Sequence, residues 1–168
     1  MATVTLHGNP VQTVGEPPAV GSQAPAFELV SNAMQTVKLS DSHGKVRVLS
    51  VVPSVDTPVC ALQTVAFNRE FANLPDSVVG YTISVDTPFA QKRFCGAEDV
   101  DKMQLLSDYK GNNFGRDWGL YIQDMGALAR SVFVLDKDGT VVYSQIVPEI
   151  AQEPDYEPVL AKVRELAG

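Results

Sequence analysis

The stretch Val46–Cys60, "VRVLSVVPSVDTPVC", decides how the rest of the chain is read. Its first half, "VRVLSVV" (Val46 to Val52), is a β-branched run with little alternation, the pattern of a central strand covered on both faces. Its second half, "PSVDTPVC" (Pro53 to Cys60), carries helix start signals. Thr57 stands where an N-cap belongs, and Pro58 suits the first helical position. From there Val59, Leu62, Ala66, Phe67, Phe71 and Leu74 recur near 3.6-residue spacing. They predict an amphipathic helix closed by Pro75 and Asp76. Strand, short turn and helix together read as the opening of a βαβ unit, with Cys60 in the first helical turn.

Working outward, "SVVGYTISVD" (Ser77 to Asp86) is the next strand. A second Thr-Pro pair (Thr87-Pro88) starts a short helix, "FAQKRFCG", stopped by Gly96. "KMQLLSD" is a further short strand, and "YKGNNFGRDWGLYIQDMGAL" reads as irregular. "ARSVFVLD" and "TVVYSQIV" form a hairpin turning at Asp138-Gly139. "EPDYEPVLAKVRELA" puts Tyr156, Val159, Leu160, Val163 and Ala167 on one helical face. Upstream, Thr3 to Val14 reads as a hairpin around Gly8-Asn9-Pro10. "GEPPAVGSQAPAFEL" is extended and too rich in Pro for a helix. "TVKLSDSHGK" holds a short strand and a turn at Ser42-His43-Gly44. No repeat, low-complexity tract or linker interrupts this order, so residues 1–168 are expected to form one domain. A βαβ unit followed by ββα predicts an α/β, thioredoxin-like layout: a central mixed sheet flanked by helices, with an N-terminal hairpin at about 3–14. Ligand sites in such sheets gather at the carboxyl ends of parallel strands, and both cysteines follow such ends.

Composition narrows the function. Apolar residues make up 45% of the 168 and charged residues 20%, as in an ordinary globular protein. A net charge of −7 without Lys/Arg clusters argues against nucleic acid and anionic membrane surfaces as partners. No apolar stretch approaches a membrane span of roughly 18 residues. The opening "MATVTLHGNPVQTVG" lacks the charged and apolar regions of a secretory signal, so a cytoplasmic location is expected. In a reducing compartment structural disulfides are disfavoured. The two cysteines, Cys60 and Cys95, then read as inert buried thiols, as metal ligands or as redox-active groups.

Position favours reactivity for Cys60. With Thr57 as N-cap it is the third helical residue, among free N–H groups at the positive end of the helix dipole, where a thiolate is favoured. The gain from such a setting is bounded. Lowering any thiol from about 8.5 to about 6 raises its thiolate fraction at neutral pH about thirty-fold, or about 2 kcal/mol. Lower basicity also weakens the nucleophile. Other groups must therefore stabilise charge in the transition state. Thr57, three residues before Cys60, is one candidate, and its other reading is a plain N-cap. Arg130, at the start of "RSVFVLD", is a second, as a fixed bidentate cation. On spacing alone a solvated charge at a strand edge is the simpler reading of Arg130. Pro53 reads as a strand terminator or as a shield of the thiolate from water.

These residues carry a resemblance. "PSVDTPVC" resembles the Pro-x-x-x-Thr-x-x-Cys pattern of the peroxiredoxins through Pro53, Thr57 and Cys60. "DTPFAQKRFCGAE" (Asp86 to Glu98) is similar to the segment that carries the resolving cysteine in the thiol peroxidase class of that family. "LARSVFVLD" is similar to its arginine segment and "VPEIAQEPDYE" to its C-terminal signature, and the N-terminal hairpin fits as well. The resemblance spans nearly the whole chain. It implies Cys60 as peroxidatic nucleophile, Cys95 as resolving cysteine, and Thr57, Arg130 and Pro53 as the surrounding catalytic residues. It implies reduction of hydrogen peroxide and organic hydroperoxides through a sulfenic acid and an intrachain disulfide, reduced in turn by thioredoxin. It implies no metal, flavin or haem, and a homodimer. One stretch departs: "YIQDMGALAR", between Tyr121 and Arg130, is shorter than in many members and lacks their Gly-Pro.

Rival readings are weaker. A zinc site from Cys60, Cys95, His7 and His43 lacks ligand spacing. A Cys-His hydrolase needs His43 beside Cys60, with nothing in the sequence to bring it there. No Cys-x-x-Cys supports a thioredoxin-type oxidoreductase. Trp118, Tyr109, Phe114 and Tyr121 read as core packing. A peroxide-sensing redox adaptor that relays oxidation to a partner shares the Cys60 chemistry, and thioredoxin-coupled peroxide consumption separates it from a peroxidase.

Overall fold

The computed structural model describes residues 1–167. Eleven strands and four α-helices follow one another in chain order. The strands β1 (Thr3–Leu6) and β2 (Asn9–Gln12) form the predicted N-terminal hairpin. Its turn is His7-Gly8, both with positive φ, rather than Gly8-Asn9-Pro10. A two-residue loop of this kind matches the strand twist. Pro10 pairs with Thr5 inside the hairpin. The Thr5 N–H turns away from it to the Pro148 carbonyl at 2.7 Å, so the hydrogen that Pro10 lacks is not missed.

The main sheet has seven strands. Next in the chain come β3 (Glu28–Ser31), β4 (Thr36–Lys38), β5 (Val46–Val51), β6 (Val78–Ser84) and β7 (Met103–Ser107). With β10 (Ser131–Leu135) and β11 (Val141–Ile146) they take the spatial order β11-β10-β5-β6-β7-β3-β4. β5, β6 and β7 are parallel, and the remaining pairs are antiparallel. This is the thioredoxin-like mixed sheet that the element order predicts. Every residue of β5 is buried, as its unbroken apolar run requires. The sheet divides the interior into two apolar clusters. One gathers Trp118, Phe27, Phe114 and Phe133; the other gathers Phe67, Phe71, Val159 and Val163. Trp118 is fully buried, with ring centroids 5.1 Å from Phe114 and 5.2 Å from Phe133, in the packing role expected of it.

The helices are α1 (Pro58–Phe71), α2 (Pro88–Glu98), α3 (Asn113–Asp117) and α4 (Tyr156–Ala167). Three details differ from expectation. β3 starts in the last two residues of the segment read only as extended and runs beyond it, because its backbone pairs with both β4 and β7. α2 runs through Gly96 and ends at Asp99, whose φ of 54° supplies the left-handed stop. The stretch read as irregular contains α3 and a small hairpin, β8 (Tyr121–Ile122) with β9 (Ala127–Leu128). Gly119 makes that stretch possible. Its φ is +63°, and a Cβ there would run into the main chain of Glu16 and Pro17. No helix among the described residues is long and apolar enough to cross a membrane.

Asp108 organises the entry to α3. Its carboxylate accepts from the N–H of Phe114 at 3.0 Å and of Gly115 at 2.8 Å. Burial nevertheless pushes the carboxyl up from 3.8 to about 6. A group whose folded pKa exceeds its unfolded value favours folding most below the unfolded value, and that contribution is lost as pH rises through the folded one. We expect a component of stability to fall between pH 4 and pH 6. Denaturant titrations across that window on wild type and Asp108→Asn check this, the variant showing a flatter slope.

Candidate active site

The carboxyl ends of β5, β6 and β7 lie at one edge of the sheet. Antiparallel pairing brings the start of β10 to the same edge, with Ser131 opposite Val51. That register sets Arg130, one residue before Ser131, beside the Pro53–Cys60 turn. Arg130 and Cys60 are 70 residues apart in sequence, and the β5–β10 pairing brings them to the same edge.

Arg130 is 2% exposed, which removes the reading as a solvated edge charge. Each of its three guanidinium nitrogens donates a hydrogen bond. Nε donates to the Ile150 carbonyl at 2.8 Å, Nη1 to Gln63 Oε1 at 3.0 Å and Nη2 to Cys60 Sγ at 3.2 Å. Among the described residues no carboxylate pairs with it. A buried cation without a counter-charge is costly. Of its three acceptors, only the Cys60 sulfur belongs to an ionisable group. Cys60 itself is fully buried, in the first turn of α1.

Gln63 is the residue that periodicity missed. The predicted apolar face of α1 included Leu62, yet Leu62 is 55% exposed. The buried stripe is Cys60, Gln63, Thr64, Phe67 and Phe71, a face one position round the helix. Gln63 is fully buried between Arg130 and the sheet, and its Nε2 donates to Ser50 Oγ at 2.8 Å. That bond orients the amide oxygen toward Arg130. A Gln one turn after a helix-start Cys was the available signal.

The remaining predicted residues take different places. Thr57 is the N-cap by backbone, its carbonyl accepting from the Ala61 N–H at 3.0 Å. Its hydroxyl makes no side-chain cap; it donates to the Ser54 carbonyl at 3.1 Å. Pro53 is buried behind β5. Pro53, Thr57, Val59 and Arg130 meet Leu6 and His7 of the hairpin around a mostly apolar cavity of about 340 Å³. Met125, from the short stretch before Arg130, closes another side.

Asp86, just past β6, holds the turn that carries Pro53 and Thr57. Its carboxylate accepts from Ser54 Oγ at 2.6 Å and from the Val55 N–H at 2.8 Å. Cys95 lies elsewhere, on α2. It is half-buried and free, as is Cys60, and meets Asn32 Nδ2 at 3.9 Å. Burial pushes the Cys95 thiol up, and the Asn32 contact opposes that in part. Each sulfur thus faces a different polar partner. Among the described residues no three His, Cys, Asp or Glu side chains are grouped to hold a metal ion.

Comparison with known proteins places the chain in a family. Residues 19–160 match the Redoxin family model. The chain is 48% identical over 166 residues to a thiol peroxidase of Bacillus subtilis (strain 168), covering 99% of each. It belongs to the redoxin family, in the thiol peroxidase class of the peroxiredoxins. A thiol peroxidase of Streptococcus pneumoniae (strain ATCC BAA-255 / R6) is 47% identical, over 97% of this chain and 99% of its own. A solved peroxiredoxin-like protein from Aquifex aeolicus superposes with a TM-score of 0.93 at 40% identity, covering 99% and 98% of the two chains. The structure of a thiol peroxidase from Chromobacterium violaceum, 20% identical, shares the fold with a TM-score of 0.86. This peroxiredoxin is therefore an enzyme of the peroxidase kind.

Removing the Gln63 amide strands both Arg130 Nη1 and Ser50 Oγ. We expect Gln63→Ala to lose about 1–3 kcal/mol of stability and to slow alkylation of Cys60 by iodoacetamide. Chemical denaturation and mass spectrometry of timed alkylations measure the two effects.

Proposed function

We propose that this peroxiredoxin reduces hydrogen peroxide and organic hydroperoxides with Cys60 as the nucleophile. The observation that carries the reading is the 3.2 Å contact between the buried Arg130 guanidinium and Cys60 Sγ. The Cys60 thiolate attacks the terminal peroxide oxygen. The S–O bond forms as the O–O bond breaks, and the alkoxide or hydroxide leaves and takes up a proton. Cys60 is left as a sulfenic acid. Arg130 holds both thiolate and leaving charge, Thr57 meets the peroxide at the cavity mouth, and Pro53 keeps water from the sulfur. The thiolate of Cys95 then attacks the sulfenic sulfur, hydroxide leaves as water, and a Cys60–Cys95 disulfide results. An external dithiol of the thioredoxin type reduces it by exchange. Thioredoxin as reductant and a homodimer complete the reading, both on the strength of the family resemblance, with the cytoplasm as the expected compartment.

Thioredoxin-coupled consumption of hydrogen peroxide and cumene hydroperoxide tests it. Cys60→Ser abolishes turnover. Cys95→Ser consumes about one peroxide per chain and then stalls. Full thioredoxin-linked turnover in Cys95→Ser would rule Cys95 out as the resolving residue, and covalent dimers on non-reducing electrophoresis would contradict an intrachain bridge.

The bridge carries a conformational requirement. Disulfide Cα atoms lie about 4.4–6.8 Å apart, whereas Cys60 opens α1 and Cys95 sits near the end of α2. One helix must unwind locally, and the last turn of α2 is the weaker of the two. Cys95 is half-buried there, and Gly96 follows it within the helix, with open space where a Cβ would stand. Gly96→Ala is expected to stabilise α2 by about 1 kcal/mol. Disulfide formation after a peroxide pulse then slows about fivefold, as followed by quenched flow. An unchanged rate would move the unwinding to α1.

A further inference from the structure

Glu149 follows β11 and lies outside every contact to Cys60, yet it gathers four donors from two distant parts of the chain. Its Oε1 accepts from Thr5 Oγ1 at 3.0 Å and the Gly8 N–H at 2.8 Å. Its Oε2 accepts from the His7 N–H at 3.2 Å and the Ala151 N–H at 2.8 Å. Three of the four belong to the N-terminal hairpin. The main chain repeats the link, with Thr5 N–H to the Pro148 carbonyl at 2.7 Å and Ile150 N–H to the Thr5 carbonyl at 2.8 Å.

The same short segment grips Arg130 at two points. The Val147 N–H donates to the Arg130 carbonyl at 3.0 Å, and the Ile150 carbonyl accepts from Arg130 Nε at 2.8 Å. A continuous set of contacts therefore runs from the hairpin through Glu149 and Ile150 to the guanidinium and on to the Cys60 sulfur. Leu6 and His7 of the hairpin, with Ile150 and Ala151, also form one side of the cavity that opens beside Arg130. The hairpin is a two-stranded sheet of its own, and such a unit is marginal unless something docks it.

We infer that Glu149 is a positioning residue of the peroxidase reaction: it fixes the Ile150 carbonyl that aims Arg130 at Cys60, and it docks the hairpin as a wall of the substrate cavity. The inference rests on the reading of Cys60 and Arg130 given above. Its carboxylate is suited to a permanent clamp. The four donors hold it well below the usual carboxylate range, at about 2. The clamp is complete above the ordinary carboxylate pKa and is lost only as pH falls toward 2. It does not switch near neutrality.

Glu149→Gln keeps the shape and puts an NH₂ against two of the four donors. Reorienting a reacting group by an ångström costs up to about a hundredfold, and a partial displacement of Arg130 is expected to cost about tenfold. Three quantities are measured on the full chain at a temperature where wild type and variant are both folded. They are the second-order rate of Cys60 alkylation by iodoacetamide, and kcat and KM for hydrogen peroxide and for cumene hydroperoxide. Alkylation and the kcat/KM for hydrogen peroxide should each fall about tenfold. Cumene hydroperoxide should lose more, through a raised KM, because its bulk meets the displaced wall. Rates within twofold of wild type, whatever the melting temperature, would overturn the inference. If Glu149→Gln does not fold, Thr5→Val removes one donor and is judged by the same criteria, with a smaller loss in the same direction. A wild type that consumes no peroxide would instead sink the peroxidase reading, and the alkylation comparison would still decide the role of Glu149.

Discussion

A guanidinium at 2% exposure with no carboxylate beside it among the described residues sets the demands on the geometry around Cys60. Its desolvation must be offset by hydrogen bonds of good geometry, and each of its three comes from a different part of the fold. One acceptor rides on α1, one on the segment after β11, and one is the Cys60 sulfur. Gln63 is in turn oriented by Ser50 on β5, the strand that pairs with β10 and so sets the height of Arg130 at the sheet edge. Sheet register, helix rotation and loop path all answer to one cation. That explains why α1 turns two polar residues inward and leaves Leu62 in solvent: the alternative face would bury more carbon and strand the charge.

The same logic separates what the sequence discloses from what it hides. The Val46–Val52 strand, the Pro58 helix start, the N-terminal hairpin and the C-terminal helix are local patterns. Each is written in a single window of residues, and each forms, the hairpin with its turn shifted to His7-Gly8. The inward face of α1 is not local. Apolar spacing predicts Leu62 inside because periodicity has no knowledge of a buried polar network across the sheet. Gly96 reads as a stop because glycine commonly ends helices, but Asp99 takes the left-handed position three residues later. β3 hides at the end of a Pro-rich stretch because its pairing partners, β4 and β7, decide it. Arg130 reads as solvated for the same reason: its neighbours follow from an antiparallel pairing between strands some 80 residues apart, and register is a property of the pair. Motif resemblance named the residue where spacing could not.

The two cysteines sit in opposed mechanical settings. Cys60 is fully buried, held by a fork that is itself held, on a turn anchored by Asp86. Cys95 is half-buried near the end of α2, next to a glycine within the helix, with one long contact to Asn32. On the proposed reading the two steps ask for opposite properties. Attack on a peroxide needs a fixed nucleophile and a fixed cation, because misalignment there is paid in rate. Resolution needs one partner to travel. A chain that was rigid at both thiols could not close the disulfide, and one loose at both would lose the aligned charge. On the proposed reading rigidity is required where Arg130 meets Cys60, and the movement falls to the cysteine that Arg130 does not touch.

The N-terminal hairpin belongs to this division as well. It adds little to the two main clusters beyond Val4 and the partly buried Leu6 and Val11. What it adds to the site is an apolar wall, with Leu6 and His7 facing Thr57, Val59 and Met125 across the cavity. A hydroperoxide has a polar O–O end and a substituent of variable size. The cavity has a matching polarity, with Arg130 at one side and carbon over most of the remainder. On the proposed reading, the docked hairpin and the short stretch that carries Met125 bound the space for that substituent. On the proposed reading the reactive residues answer to the demand of one buried charge, and the hairpin that bounds the cavity is tied to that charge through Glu149 and Ile150.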